Sequence, residues 1–276
     1  MSRIIRVFPR KTNATPDDEL AVVNRPPGFF DEADAIHVSV TFSWDMPRAE
    51  RLAKEWERVA PVTVGGPATG QRSEEFVAGR YIRTGYTITS RGCPNRCWFC
   101  NVWRREGVVR ELSIVPGWNV LDDNLLACSR SHIEAVAEML RQQKSLGHRV
   151  EFTGGLEAAR LEDWHIYILR DLRPKQIFFA YDTPEDLEPL RDAGRRLLAA
   201  GWTPESKSLR CYVLCGYQGD TRDAADARMR QTIEAGFCPM AMVYRDSQGV
   251  KHHDWQSFQR MWARPAIVTL GGRRDA

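Results

Sequence analysis

The chain has no continuous apolar run near the ~18 to 20 residues that a membrane span requires, and none is expected to cross a bilayer. Its opening, Met1-Ser2-Arg3-Ile4-Ile5-Arg6, turns polar at Pro9-Arg10-Lys11 without an apolar signal core, so no secretory peptide is expected. Neither sign of charge dominates: 39 Lys and Arg against 36 Asp and Glu leave a formal charge of +3. With a pI near 8.5 this is far from the concentrated basic face of a dedicated nucleic-acid binder, and it reads as a solvated mixed-charge surface. There is no internal repeat and no low-complexity tract. Cysteine is missing from the whole segment before Cys93.

What is present is ordinary in bulk and unusual in one place. Hydrophobic residues at 43% and charged residues at 27% fit a soluble globular protein. A chain of 276 residues can bury one large core, or one core with a smaller appendage. The seven cysteines are odd in number, and three of them lie within eight positions. A secreted disulfide framework would be smaller and more evenly paired, so the crowding points to metal or redox chemistry and a cytoplasmic setting.

The first thirty residues read as irregular, broken by Pro9, Pro16, Pro26 and Pro27. A strand over 36–42, a helix opened by Pro47 with Leu52, Trp56 and Val59 at helical spacing, and a strand over 61–64 then form a short βαβ unit. This unit, residues 1–79, precedes a larger one, 80–276. In the latter, strands are expected at 86–90, 150–153, 176–181, 209–214, 240–244 and 266–269, separated by helices. The stretch from Asn101 to Arg130 reads as a long loop, with Ser131 and Glu134 as a capping box for the next helix. Strictly alternating β and α predicts an α/β fold with a parallel sheet, and six such units suit an open or partial barrel.

The most informative segment is Arg91-Gly92-Cys93-Pro94-Asn95-Arg96-Cys97-Trp98-Phe99-Cys100. Three thiolates at these spacings can converge on one iron–sulfur cluster from a single loop. Such clusters normally have four ligands, so three would leave one iron open, as a catalytic zinc keeps an open position. The competing reading is a zinc knuckle completed by Cys128 or His132. An asymmetric triplet with Trp98-Phe99 between ligands fits that poorly. The other cysteines, Cys128, Cys211, Cys215 and Cys238, could hold an auxiliary cluster, though small buried hydrophobes are their commoner fate.

This C-x3-C-x2-C loop, placed after a first strand with an aromatic residue before the last Cys, resembles the radical S-adenosylmethionine superfamily. The resemblance implies a partial (β/α)6 TIM-like barrel and a [4Fe–4S] cluster on Cys93, Cys97 and Cys100. It also implies S-adenosylmethionine as cosubstrate on the open iron, cleaved reductively to a 5′-deoxyadenosyl radical that abstracts hydrogen from a substrate. Phe99 would pack near the adenine. Gly154-Gly155 matches the superfamily's glycine-rich motif for the methionine amino group, with Glu157 one place later than the usual acid. Asp182, Gly216 and Met242 would line the ribose, carboxylate and adenine, and Arg245 would pair with a carboxylate or phosphate. An electron donor such as flavodoxin or ferredoxin would be a partner.

Val38 to Trp44, followed by Val64-Gly65-Gly66-Pro67-Ala68-Thr69, resembles the later part of the cobalamin-binding domain found in one branch of that superfamily. The cobalamin-ligating D-x-H-x-x-G pattern is absent, so a truncated remnant without cobalamin is expected. Trp103, Arg104, Arg105 and Trp118 are candidates for a surface facing the substrate, a small molecule or nucleotide, or simply for stabilising their own loop. The alternative from another class is a non-catalytic zinc or iron–sulfur protein that binds nucleic acid.

Overall fold

Alternating β-branched residues in Ala35–Ser39 (β3), and the apolar run of Ile4–Phe8 (β1), build the centre of a first sheet. A computed structural model describes residues 2–246, 249 and 253–263. β1 pairs in parallel with Ala21–Val23 (β2) on one side and β3 on the other, and β3 pairs in parallel with Val62–Gly65 (β4). The strand order is therefore β2-β1-β3-β4, which reverses direction between β1 and β3. The helix Met46–Trp56 (α1), with Pro47 in its first turn, crosses from β3 to β4. It buries Leu52 and Trp56 against Ile5, Val7, Ile36 and Val38, which form a core of their own. Arg6 on the other face donates to the carbonyls of Gly79 and Arg80 at 2.9 and 2.8 Å, and so ties down the chain leaving this unit.

The second unit starts with the short strands Tyr86–Thr87 (β5), at the edge of its sheet, and Ser90–Arg91 (β6), outside that sheet. The helical turn Val102–Arg105 (α2) and the strand Arg110–Glu111 (β7) follow, then Asn119–Val120 (β8). After them come Arg130–Ser145 (α3), Glu151–Leu156 (β9), Asp163–Leu172 (α4), Gln176–Tyr181 (β10) and Leu187–Ala199 (α5). Leu209–Cys215 (β11), Arg222–Glu234 (α6), Cys238–Val243 (β12) and His253–Trp262 (α7) complete the described elements. Six strands lie in the order β12-β11-β10-β9-β8-β5, all parallel. Register aligns Thr87, Val120, Phe152, Ile177 and Leu209 across it. These residues are buried. All but Thr87 belong to the core that takes in Leu140 of α3, Leu169 of α4, Leu197 of α5 and Met229 of α6. Parallel sheets need such a covered face, because the crossovers lay helices over them. No described helix is long and apolar enough to cross a membrane.

Several sequence expectations are corrected here. The first thirty residues are not irregular: β1 and β2 lie among them, spaced so that the prolines fall outside both strands. The single strand expected at 86–90 splits into β5 and β6, because β6 turns away to pair antiparallel with β7. The expected loop 101–130 contains β8, an interior strand of the sheet too short to show alternation. α3 is capped by Ser129, whose hydroxyl accepts from the His132 amide, not by Ser131. The sheet has six strands, but β8 is among them and the strand expected at 266–269 lies outside the described residues. Among the described residues β5 and β12 each have one neighbour, so the sheet is open and no closed barrel forms.

Candidate functional site at the C-terminal edge of the sheet

The cysteine loop leaves β6 at the C-terminal edge of the parallel sheet, where α/β sheets place their ligand sites. It is pinned at several points. The Cys93 amide donates to the Gly107 carbonyl at 3.2 Å, the Cys100 amide to the Cys97 carbonyl at 3.1 Å, and the Trp103 indole to the same Cys97 carbonyl at 3.0 Å. Below it, the segment after β8 acts as a bracket. The buried Asp122 carboxylate accepts from the Thr89 amide and hydroxyl, both at 2.6 Å, and from the Ser90 hydroxyl at 2.8 Å. Asp123 accepts from the Gly92 amide at 2.9 Å and pairs with Arg91 at 3.2 Å. The Asn124 amide nitrogen donates to the Cys93 sulfur at 3.4 Å and to Glu157 Oε2 at 2.6 Å. A second N–H, from Val102, points at the Cys100 sulfur at 3.4 Å.

Burial pushes the Cys97 thiol up to about 11, and Cys100 and Cys93 push it the same way. Burial likewise raises Cys100 against the opposing Val102 amide. The three side chains are thus near enough to feel one another's charge. Among the described residues, however, no three Cys, His, Asp or Glu side chains gather as a metal-ligand set. What fits an iron–sulfur cluster is the donor chemistry: soft sulfurs on one loop, with N–H donors to two of them, the arrangement that tunes cluster potentials. The positive charge of bound iron would offset the burial that raises the Cys97 and Cys100 thiols.

Neither proposed fourth ligand of a zinc knuckle stands ready. His132 is buried with Nε2 3.3 Å from the Thr89 hydroxyl, and neither it nor Cys128 gathers with the triplet as a ligand set among the described residues. Cys211 and Cys215 are buried on the helix-covered face of β11. Cys238 pairs in register with Arg210, on the opposite face, so these do not assemble an auxiliary set.

The other predicted site residues fall at successive strand ends. Gly154 and Gly155 form a bulge in β9: register to β10 jumps from Phe152–Ile177 to Leu156–Phe179. A Cβ on Gly154 would meet the Asp122 carbonyl oxygen at 2.3 Å, and Gly155 has φ +80°. Gly154→Ala is therefore expected to push β9 from the Asp122–Asn124 bracket, costing about 2 to 3 kcal/mol in urea unfolding. An unchanged unfolding midpoint would show the backbones free to separate.

Glu157 does not project freely; it is held by Asn124 and by Arg160 at 2.6 Å. Asp182, after β10, is pushed up to about 7 by burial and by Asp186, with a smaller opposing bond from the Leu214 amide. Its charge raises both Cys97 and Cys100, which places it beside the cysteine loop. Because the folded pKa lies above the unfolded carboxylate value, the folded state retains a proton that the unfolded chain loses. Stability from this group is full below about pH 4 and is lost as pH rises toward 7. In the metal-free protein Asp182→Asn is expected to abolish this loss, gaining on the order of 2 to 4 kcal/mol at pH 8 and little at pH 4. Urea midpoints at both pH values check it.

Phe99 packs edge-on to Trp98, at 5.3 Å between ring centres. Trp98 is 52% exposed and lies 5.5 Å from both Tyr217 and Tyr244, which follow β11 and β12. Gly216 (φ +74°) carries this turn, with the Trp255 ring where a Cβ would sit. Met242 is 43% exposed and pairs in register with Leu214. Arg245 points elsewhere, with its guanidinium carbon 4.7 Å from the centre of the Trp44 ring, in the turn that follows β3 of the first sheet.

In the insert, Trp103 braces the cysteine loop, Arg105 bonds Glu106 at 2.8 Å, and Trp118 stacks on His148 at 3.7 Å. These three stabilise their own surroundings, and Arg104 lies over Trp103. The sequence reading missed Asp122, Asp123, Asn124 and the Trp98–Tyr217–Tyr244 cluster. The available signal was three polar residues directly after Val120-Leu121, a pattern that places polar groups at a strand's end. No family model matches this chain, and no curated protein matches it.

Proposed function

We propose that this protein is a radical S-adenosylmethionine enzyme, with Cys93, Cys97 and Cys100 holding a [4Fe–4S] cluster at the mouth of a partial (β/α)6 barrel. One observation carries the reading: a C-x3-C-x2-C loop at the C-terminal edge of a parallel sheet, with N–H donors aimed at the Cys93 and Cys100 sulfurs. When bound, the reduced cluster would supply the electron that splits S-adenosylmethionine into methionine and a 5′-deoxyadenosyl radical.

The chain's own residues bind, orient and shield. The bulge at Gly154-Gly155 breaks the ladder to β10 and leaves backbone carbonyls available to a cosubstrate ammonium. Asp182, half-buried beside the cysteine loop, accepts a ribose hydroxyl when ionised. Phe99 and Trp98 offer ring faces to adenine and limit water near the reacting carbon. The N-terminal unit is a remnant domain without cobalamin, and a flavodoxin or ferredoxin is the electron donor in a cytoplasmic setting.

The test is anaerobic reconstitution. The expected result is a brown protein with iron and sulfide that forms 5′-deoxyadenosine from S-adenosylmethionine under a strong reductant. A colourless protein with stoichiometric zinc and no 5′-deoxyadenosine would overturn the reading and favour a nucleic-acid-binding zinc module.

A further inference from the structure

We propose that Arg245, Trp44 and Arg10 form a binding site for an oxyanion, a carboxylate or phosphate group, where the C-terminal edges of the two sheets meet. The first sheet reverses its strand order between β1 and β3. In open α/β sheets, the crevice beyond the strand ends at such a reversal is where ligands bind. Arg10 follows β1 by two residues and Trp44 follows β3 by five, so both stand at that crevice. Arg245 reaches the same place from the end of β12 in the second sheet.

The groups there are donors in search of an acceptor. Arg245 forms no salt bridge among the described residues, and Asp45 reaches it only as a more distant charge; its guanidinium carbon lies 4.7 Å from the centre of the Trp44 ring. The Trp44 ring is fixed from the other side by Phe42, stacked at 4.8 Å and 9°. Trp44 Nε1 is buried with no hydrogen-bond partner among the described residues, an unmet donor that a buried site does not normally keep. Arg10 is neutralised by Asp45, through Nε and Nη2 at 2.7 and 2.6 Å. Two cations thus share one carboxylate. Burial and the nearby Arg10 both disfavour the charge on Arg245, while Asp45 offsets them weakly, and a bound anion would relieve that strain. Helix α1 begins at Met46, so its partially positive N-terminus is on the same side.

The link to radical chemistry rests on the reading above and runs through one residue. Tyr244, next to Arg245, packs on Trp98 of the cysteine loop at 5.5 Å between centres. An anion held by Arg245 would therefore anchor a molecule that extends toward the cysteines. Two sources share this chemistry: the carboxylate of S-adenosylmethionine, and an acidic substrate.

The first arm uses the full-length, metal-free protein at low ionic strength, with inorganic phosphate as probe and calorimetric titration as readout. Saturable binding is expected, weakened about 10-fold or more in Arg245→Gln. Trp44→Phe, which keeps the ring and removes the N–H, is expected to weaken it several-fold. Arg83→Gln, removing an exposed guanidinium near Asp17, is the control that leaves it unchanged. No saturable binding, or equal binding by Arg245→Gln with a wild-type melting curve, overturns the proposal. This arm needs no cluster, so its failure is separate from a failure of the cluster reading.

The second arm uses the cluster-loaded protein. Competition between S-adenosylmethionine and phosphate, with cosubstrate affinity about 10-fold lower in Arg245→Gln, assigns the anion to the cosubstrate. Simultaneous binding with unchanged cosubstrate affinity assigns it to the substrate.

Discussion

Cys97→Ala is expected to abolish iron and sulfide incorporation and reduce 5′-deoxyadenosine formation to under about one-hundredth of wild type, while the metal-free protein keeps its fold. The separation follows from what Cys97 contributes in each state. Without metal its thiol is a small, partly buried and protonated group, pushed up to about 11 chiefly by burial. The contact that ties this position to its surroundings is made by its backbone carbonyl, which accepts from the Trp103 indole and the Cys100 amide and survives the substitution. Loss of one sulfur therefore costs about 1 kcal/mol of stability at most. As a cluster ligand it has no replacement on its own loop, where Cys93 and Cys100 are the only other cysteines. Cys211→Ala is the mirror image: its sulfur is fully buried in the core and its loss should lower stability without lowering iron content. Full cosubstrate cleavage by Cys97→Ala would end the proposed function.

Asp220→Ala is expected to cost about 3 to 5 kcal/mol, the largest stability effect of any single substitution at the strand ends. The Asp220 side chain is 1% exposed and that of Arg228 is 10% exposed. Asp220 Oδ2 accepts from Arg228 Nη2 and from the Gly216 amide, both at 2.7 Å. Removing the carboxylate leaves the buried guanidinium only the Leu214 carbonyl, at 3.1 Å, and strips the Gly216 N–H of its acceptor, and neither can reach water without opening the turn after β11. Arg228 holds its charge in the fold: burial acts against the cation, yet Asp220 keeps its pKa raised.

A chain of this size should melt roughly 10 °C lower for such a loss. The double variant Asp220→Leu with Arg228→Met should lose less than Asp220→Ala alone, because no uncompensated charge is left behind. Because Tyr217 packs on Trp98 from this turn, cosubstrate affinity should fall as well. A loss below about 1 kcal/mol would mean that water reaches Arg228 and that the pair is not buried in solution.

Most of the second sheet was legible because its strands and helices are long enough to show their periods. β10 agrees with its expected limits and β11 runs one residue further, since β-branched and aromatic residues are bounded there by Pro, Gly and Ser. The failures share one cause. β1, β2, β5, β6 and β8 are two to five residues long, too short for two-residue alternation to register against the background. β8 becomes a strand only because β5 and β9 supply backbone partners on both sides. The site divides similarly. Cysteine spacing is local, and one loop can reveal it. The Asp122–Asn124 bracket lies about thirty positions from the residues it holds, and no local pattern connects them.

The sequence by itself determined the cysteine triplet, the alternation of strand and helix and the punctuation of that alternation by glycine and proline, because each depends on neighbours within a turn or a strand. Only the tertiary structure decided that the sheet is open among the described residues, that Asn124 and not a loop neighbour addresses the Cys93 sulfur, and that Arg245 lies on Trp44 of the N-terminal unit. Those outcomes depend on pairing across long separations and on which charges are left without partners once the chain is packed. Covalent order along the chain does not encode either in any short window.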